Sequence, residues 1–243
     1  MSIAVIVNGA RGKMGVQACK MLEEHPEFNL VGRLGRDDNL LAEIKHQKAK
    51  IVIDLTRSDC AYANSMCIIN AGAHPIIGTS GLTQAQREKL SERCEQLSLG
   101  GLIVPNFSIS MVLMMRFAAE AASILPDVEI IEAHHQHKLD SPSGTALNTA
   151  DKIATARGVQ QKSTHEAQII ECARGAEYKG IQIHSIRLPG ILAQQQVIFG
   201  SSGETLTLTH NTLDRLAFMP GLLLACQKVS LLNKLYNGLE HIL

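Results

Sequence analysis

Residues Ile3–Val7 form a short apolar run that ends at Asn8-Gly9-Ala10-Arg11-Gly12-Lys13-Met14-Gly15 and gives way to a helical pattern reaching about Glu24. No other feature restricts the fold of this chain as much. A strand that turns through glycines straight into a helix is the first half of a βαβ unit, and its crossover is right-handed onto a parallel sheet. Further strand-like runs follow at Phe28–Leu34, Ile51–Leu55, Pro75–Gly78 and Leu102–Val104. Helical stretches such as Thr83–Leu97 separate them. Strand and helix alternate as far as Asn106, which predicts an α/β, Rossmann-type domain with a parallel sheet.

The pattern changes after Asn106. Val128–Ala133 reads as a strand and Thr145–Arg157 as a helix, with Ala146, Ala150, Ile153 and Ala154 at helical spacing and Pro142 in its first turn. Ala167–Cys172, Ile181–Leu188, Gln195–Phe199 and Thr205–Thr209 read as strands, the last three without a long helix between them. This predicts an α+β domain on an open mixed sheet. The tail from about Thr212 turns helical again and is interrupted at Pro220-Gly221. The expected organisation is a cofactor domain of residues 1–106 and 213–243 around a substrate and oligomerisation domain of residues 107–212.

Gly9, Gly12 and Gly15 have the spacing G-x-x-G-x-x-G. Such a turn lets the backbone approach a pyrophosphate, and the helix start adds N–H donors and positive potential. Lys13 adds a charge. At the end of the second strand stand Gly35 and Arg36, where an arginine pairs with a 2′-phosphate and points to NADPH; Asp37 leaves NADH open. Two more polar loops, Asp54-Leu55-Thr56-Arg57 and Gly78-Thr79-Ser80-Gly81, follow strands and belong to the same sheet edge.

The segment Glu132-Ala133-His134-His135-Gln136-His137-Lys138-Leu139-Asp140-Ser141-Pro142-Ser143-Gly144-Thr145-Ala146 carries the second half of the chemistry. Histidine suits proton transfer near neutrality, Lys138 adds a fixed charge, and the turn opening the helix at Gly144-Thr145 offers N–H groups to an anion. Neighbouring strand residues face opposite ways, so His134 and His135 share a pocket only if the strand ends there. His137 reads as a surface or supporting residue, and Asp140 and Ser141 as helix caps or ligand contacts. A metal site of His134, His135 and His137 is the alternative, but it lacks further ligands at suitable spacing.

Composition removes other classes. The formal net charge is zero, no block of Lys or Arg stands out, aromatic residues make up 3% and there is no Trp, which disfavours nucleic acid as a partner. No apolar run reaches the roughly 18 residues of a membrane span. The six cysteines form no C-x-x-C pair. With no leader before the first strand, a reduced cytoplasmic protein is expected.

Segment 132–146 matches every fixed position of E-x-H-H-x-x-K-x-D-x-P-S-G-T-A, and Val7, Gly9, Ala10, Gly12, Met14 and Gly15 match V-x-G-A-x-G-x-M-G. In these motifs the chain resembles the 4-hydroxy-tetrahydrodipicolinate (dihydrodipicolinate) reductase family. Gly78-Thr79-Ser80-Gly81 is similar to its G-T-T-G loop, Asn106-Phe107-Ser108 to its hinge, and Arg215 and Phe218 to a pair near its C-terminal end. The resemblance implies reduction of a six-membered cyclic dicarboxylate with NADPH or NADH on the diaminopimelate route to lysine. It implies His134 as proton donor assisted by Lys138, and His135, Gly144 and Thr145 as carboxylate ligands. Domain closure would bring nicotinamide to substrate, and the assembly would be a homotetramer.

The chain departs from the family at Ile109-Ser110-Met111-Val112, where V-G-V-N is usual. It departs again at Pro189-Gly190-Ile191-Leu192-Ala193-Gln194-Gln195, where G-D-x-x-G-E-H is usual, and in a short segment Arg36-Asp37-Asp38-Asn39. Two competing readings use the same residues: a nucleotide-binding redox sensor without catalysis, and an NAD(P)-dependent enzyme acting on another dicarboxylate, such as an aspartate dehydrogenase.

Overall fold

The computed structural model describes residues 2–158 and 169–243. Its strands are β1 (Ile3–Asn8), β2 (Phe28–Leu34), β3 (Ile51–Asp54), β4 (His74–Ile77), β5 (Gly101–Ile103), β6 (Asp127–His134), β7 (Ala176–Tyr178), β8 (Ile181–Arg187), β9 (Ala193–Ser201), β10 (Glu204–Thr212) and β11 (Leu235–Asn237). Its α-helices are α1 (Lys13–Glu24), α2 (Leu40–Gln47), α3 (Ala61–Asn70), α4 (Gln84–Gln96), α5 (Ile109–Ala122), α6 (Gly144–Arg157) and α7 (Met219–Lys228). Two compact units result, one running to Ile109 and taking back Arg215–Leu243, the other Ser110–Asp214.

The first unit is built on a six-stranded sheet in the order β11-β5-β4-β3-β1-β2, with every pairing parallel. A parallel sheet buries both faces, and its strands are correspondingly apolar: all four residues of β3 are buried, including Asp54 at its carboxyl end. Ile6, Leu34, Ile44, Val52 and Ile68 form one core cluster; Ile69, Ile77, Leu90, Cys94 and Ile103 belong to another. The edge strand β11 is not foreseen by the sequence reading. It has three residues, too few to show a period, and exists because its backbone pairs with β5. Pro220 does not interrupt the tail. It lies at the start of α7, where its missing N–H costs nothing.

The second unit carries a mixed sheet in the order β10-β9-β6-β8-β7, in which β6 and β8 are parallel and the other pairs antiparallel. Helix α6 packs on β6 and β8. Val128, Ile130, Val197, Phe199, Ile181 and Ile183 are buried along alternating strand positions. Gln195 lies on that inward face and donates from Nε2 to Thr149 Oγ1 at 2.7 Å, tying β9 to α6. The strand expected over Ala167–Cys172 is not formed. Ala167 and Gln168 lie outside the described residues, and from Ile169 the chain bends and turns, with Cys172 at φ +60° and no sheet partner.

Two local expectations at α6 are corrected. Its N-cap is Ser143, whose side chain accepts from Ala146 N at 3.2 Å, so Asp140 and Ser141 do not cap it. Pro142 precedes the cap instead of filling the first turn, and the Ser141–Pro142 peptide is cis.

Candidate active site

In the first unit the site starts where β1 ends. Gly9 turns the chain at φ +86°, and a Cβ there would stand 2.5 Å from the Leu55 carbonyl oxygen. A Cβ on Gly15 would come within 2.2 Å of the Gly9 carbonyl oxygen. Backbone thus lies against backbone, and the turn is held by Gly9 and Ala10, which donate to the Leu34 carbonyl at 2.9 and 3.0 Å. Gly12 is the N-cap of α1 with no side-chain cap, and the first turn has no acidic residue. The first amides of α1, beginning at Lys13 and Met14, are therefore available to an anion at the positive end of the helix dipole.

Other candidate groups stand along the carboxyl edge of the same sheet. After β2, the Gly35 N–H is held by Asp38 Oδ2 at 2.7 Å, Arg36 and Asp37 are exposed, and the Arg11 guanidinium lies beside Gly35. Arg11 was not singled out from sequence; only the fold brings it to the end of β2. After β3, Asp54 Oδ1 accepts from Thr56 N at 3.1 Å and from Thr56 Oγ1 at 2.6 Å, while Asn64 Nδ2 donates to Thr56 Oγ1 at 3.1 Å. Burial raises the Asp54 carboxyl pKa against these hydrogen bonds. Arg57 is turned to Asp59 at the surface. After β4, Gly78 lies against Leu55 and Phe107, Thr79 Oγ1 donates to the Asp54 carbonyl at 3.2 Å, and Ser80 is exposed. Asn106 Oδ1 accepts from Ser108 N at 2.9 Å, which shapes the turn that buries Phe107. The 3-10 turn Arg215–Phe218 packs against α1, and its two end residues are half-buried. A glycine-lined cradle and an uncapped helix start fit the pyrophosphate of a pyridine dinucleotide, and two arginines, Arg11 and Arg36, stand at the end of β2.

In the second unit β6 ends at His134, and His135 already belongs to a turn closed by Lys138 N donating to the His135 carbonyl at 3.0 Å. The two neighbours are thus not bound by strand alternation. His134 is half-buried, and its Nδ1 lies 2.6 Å from Glu132 Oε2. Because ionised Glu132 only accepts, Nδ1 carries the hydrogen and Nε2 is the ring nitrogen left for a ligand. His135 is half-buried with its ring centroid 6.4 Å from that of His137, and His137 is exposed. Lys138 Nζ donates to both carboxylate oxygens of Asp140, at 2.7 and 2.8 Å. That pairing lowers the Asp140 pKa. At the head of α6, a Cβ on Gly144 would meet nothing within 4 Å, and no acidic residue stands in the first turn. The amides of Gly144 and Thr145 are therefore open to a carboxylate.

The sequence reading missed the group that organises this segment. The Glu132 side chain is fully buried, and Arg187 from β8 donates to Oε2 at 2.9 Å from Nη1 and to Oε1 at 2.8 Å from Nη2. Burial opposes its charge, but hydrogen bonds from His134, Arg187 and Ser185, with the Arg187 charge, outweigh it and bring the carboxyl down to about 2. A depressed folded pKa stabilises the fold above the unfolded carboxylate range and loses that contribution as pH falls through the folded value. Between pH 4.5 and about 2 the wild type is expected to lose about 3 kcal/mol more than Glu132→Gln. Urea unfolding at stepped pH measures this; parallel losses in the two proteins contradict it.

Comparisons with known proteins cover the whole chain. Residues 3–107 match the family model described as dihydrodipicolinate reductase, N-terminus, and residues 110–243 its C-terminus. A 4-hydroxy-tetrahydrodipicolinate reductase of Legionella pneumophila (strain Philadelphia 1) is 54% identical over 243 residues, covering 100% of both chains. One from Coxiella burnetii (strain Dugway 5J108-111) is 46% identical, again over 100% of both. Among solved structures, dipicolinate-bound dihydrodipicolinate reductase from Paenisporosarcina sp. TG-14 superposes with a TM-score of 0.90 at 39% identity, covering 100% of each chain.

Proposed function

From the premise that this chain belongs to the dihydrodipicolinate reductase family, we propose that it reduces 4-hydroxy-tetrahydrodipicolinate to tetrahydrodipicolinate with NAD(P)H, His134 giving the proton. The observation that carries this reading is the His134 ring held at Nδ1 by Glu132, whose other oxygen accepts from Ser143 N at the head of α6. The cofactor, when bound, supplies the hydride to ring carbon 4. The chain's own residues do the rest. Gly9, Ala10, Gly12, Lys13, Met14 and Gly15 hold the pyrophosphate, and Thr56, Gly78, Thr79, Asn106 and Phe107 line the sheet edge beside it. Arg36, with Arg11, favours the 2′-phosphate of NADPH, while NADH remains usable because the cradle itself makes no demand on the ribose. Arg57, Ser80, Arg215 and Phe218 complete the rim of the cofactor site.

The substrate is a dianion, and the second unit offers matching groups. Gly144 and Thr145 amides bind one carboxylate at the helix start, with the Thr145 hydroxyl alongside. Lys138 and His135 take charge-assisted hydrogen bonds, Lys138 turning one of its three donors from Asp140 to the ligand. The 4-hydroxyl leaves the ring as water, hydride addition at carbon 4 of the resulting conjugated imine sends an electron pair toward the ring nitrogen, and His134 gives the proton that this enamine takes up. A homotetramer is part of the proposal. It is supported by the half-buried or exposed face of the mixed sheet opposite Glu132, where Ile131, Ile186 and Ile198 stand.

Dipicolinate, the ligand of the Paenisporosarcina relative, tests the carboxylate grip directly. It should inhibit competitively with substrate. Lys138→Met should weaken it by roughly 10–100-fold, the value of one charge-assisted hydrogen bond. Unchanged inhibition of the variant would remove Lys138 from the grip.

A further inference from the structure

We propose that Arg187 is a positioning residue for the reaction, setting the proton affinity and orientation of His134 through Glu132; this rests on the reading of His134 as proton donor. The geometry that carries it is a closed set of contacts. Arg187 occupies the β8 position paired with His134 in parallel register. Its two terminal nitrogens grip both oxygens of Glu132, and Nη2 also donates to the Asp140 carbonyl at 2.7 Å. Glu132 Oε1 further accepts from Ser143 N, the cap of α6, at 3.3 Å. One guanidinium therefore ties together the strand bearing His134, the Lys138–Asp140 loop and the head of the carboxylate-binding helix.

The charge arithmetic explains why an arginine stands here. A buried carboxylate against His134 Nδ1 alone would hold the imidazole as imidazolium, since an opposite charge within a few ångströms raises a histidine pKa by about 1–3 units. A donor that keeps its proton so firmly is a weak acid. Arg187 pairs with both oxygens of Glu132, so the carboxylate that fixes the ring through Nδ1–H is shared with a guanidinium. On the loop that follows His134, the titratable His135 is its chain neighbour and Lys138 pairs with Asp140. The β9 residue paired with His134 is Ala193, and the first turn of α6 has no acidic residue.

The test is the pH dependence of kcat together with NMR titration of the His134 ring. Activity requires protonated His134 and falls as pH rises through its pKa. In Arg187→Met that alkaline limb and the ring titration should move up by about one pH unit or more, with a lower plateau. In Glu132→Gln both should move down. Removing one partner of a buried pair can unfold a protein. The doubly neutral Glu132→Gln/Arg187→Met protein and Arg187→Lys therefore accompany the singles: the double, lacking both charges, should titrate between the two singles and near wild type, and the lysine variant should return toward wild type. Limbs that stay fixed, or that move the same way in Arg187→Met and Glu132→Gln, overturn the proposal. A His134→Gln protein that turns over normally overturns the underlying reading instead, so the two failures are separate.

Discussion

His134→Gln is expected to bind NADPH as tightly as wild type while kcat falls by roughly 10²–10⁴-fold, the usual worth of a positioned proton donor. Gln fills similar space and keeps a hydrogen bond to Glu132, but it has no proton to give at neutral pH. The buried Glu132–Arg187 pair stays intact, so the fold should persist. Fluorescence titration with NADPH and steady-state kinetics on the same preparation separate the effects. A raised KM with unchanged kcat would make His134 a binding group, and wild-type turnover would take it out of the mechanism.

Gly15→Ala is expected to remove cofactor binding and to destabilise the first unit. The added methyl would lie 2.2 Å from the Gly9 carbonyl oxygen and 2.8 Å from Ala10 Cα, contacts that only backbone movement relieves. Overpacking against rigid neighbours costs about 1–3 kcal/mol and at times more. Relief must shift the Gly9–Gly12 turn away from the α1 amides, so NADPH affinity should drop on the order of tenfold or more. Calorimetric titration and thermal unfolding read the two effects; a variant that binds NADPH normally would show that the cradle does not hold the pyrophosphate.

The parts of this molecule legible in sequence are those fixed by short-range geometry. Gly9 and Gly15 announce their turn because the backbone there excludes any side chain, and β2 is read at its observed bounds because its apolar run is closed by Gly35. Segment 132–146 shows its histidines and its helix head for the same reason. What escaped depends on partners far along the chain. Arg187 meets Glu132 across 55 positions, and nothing local marks it. A signal was present: Glu132 follows Val128 and Ile130 on the inward face of β6, and a carboxylate at such a position needs a buried cation. β11 was invisible because three residues reveal no period, and Ser143 takes the cap expected of Asp140 or Ser141 because α6 begins at Gly144, directly after it.

This chain is expected to pass hydride from NAD(P)H to the product of dihydrodipicolinate synthase. Adding the purified protein to freshly generated synthase product and following nicotinamide absorbance tests it most directly. The predicted result is immediate oxidation, proportional to protein, with both cofactors active and NADPH giving the higher kcat/KM. No oxidation of either cofactor while the synthase is turning over would contradict it. It would return the Gly9–Gly15 cradle to the redox-sensor reading, or, with activity on a second dicarboxylate, to another enzyme.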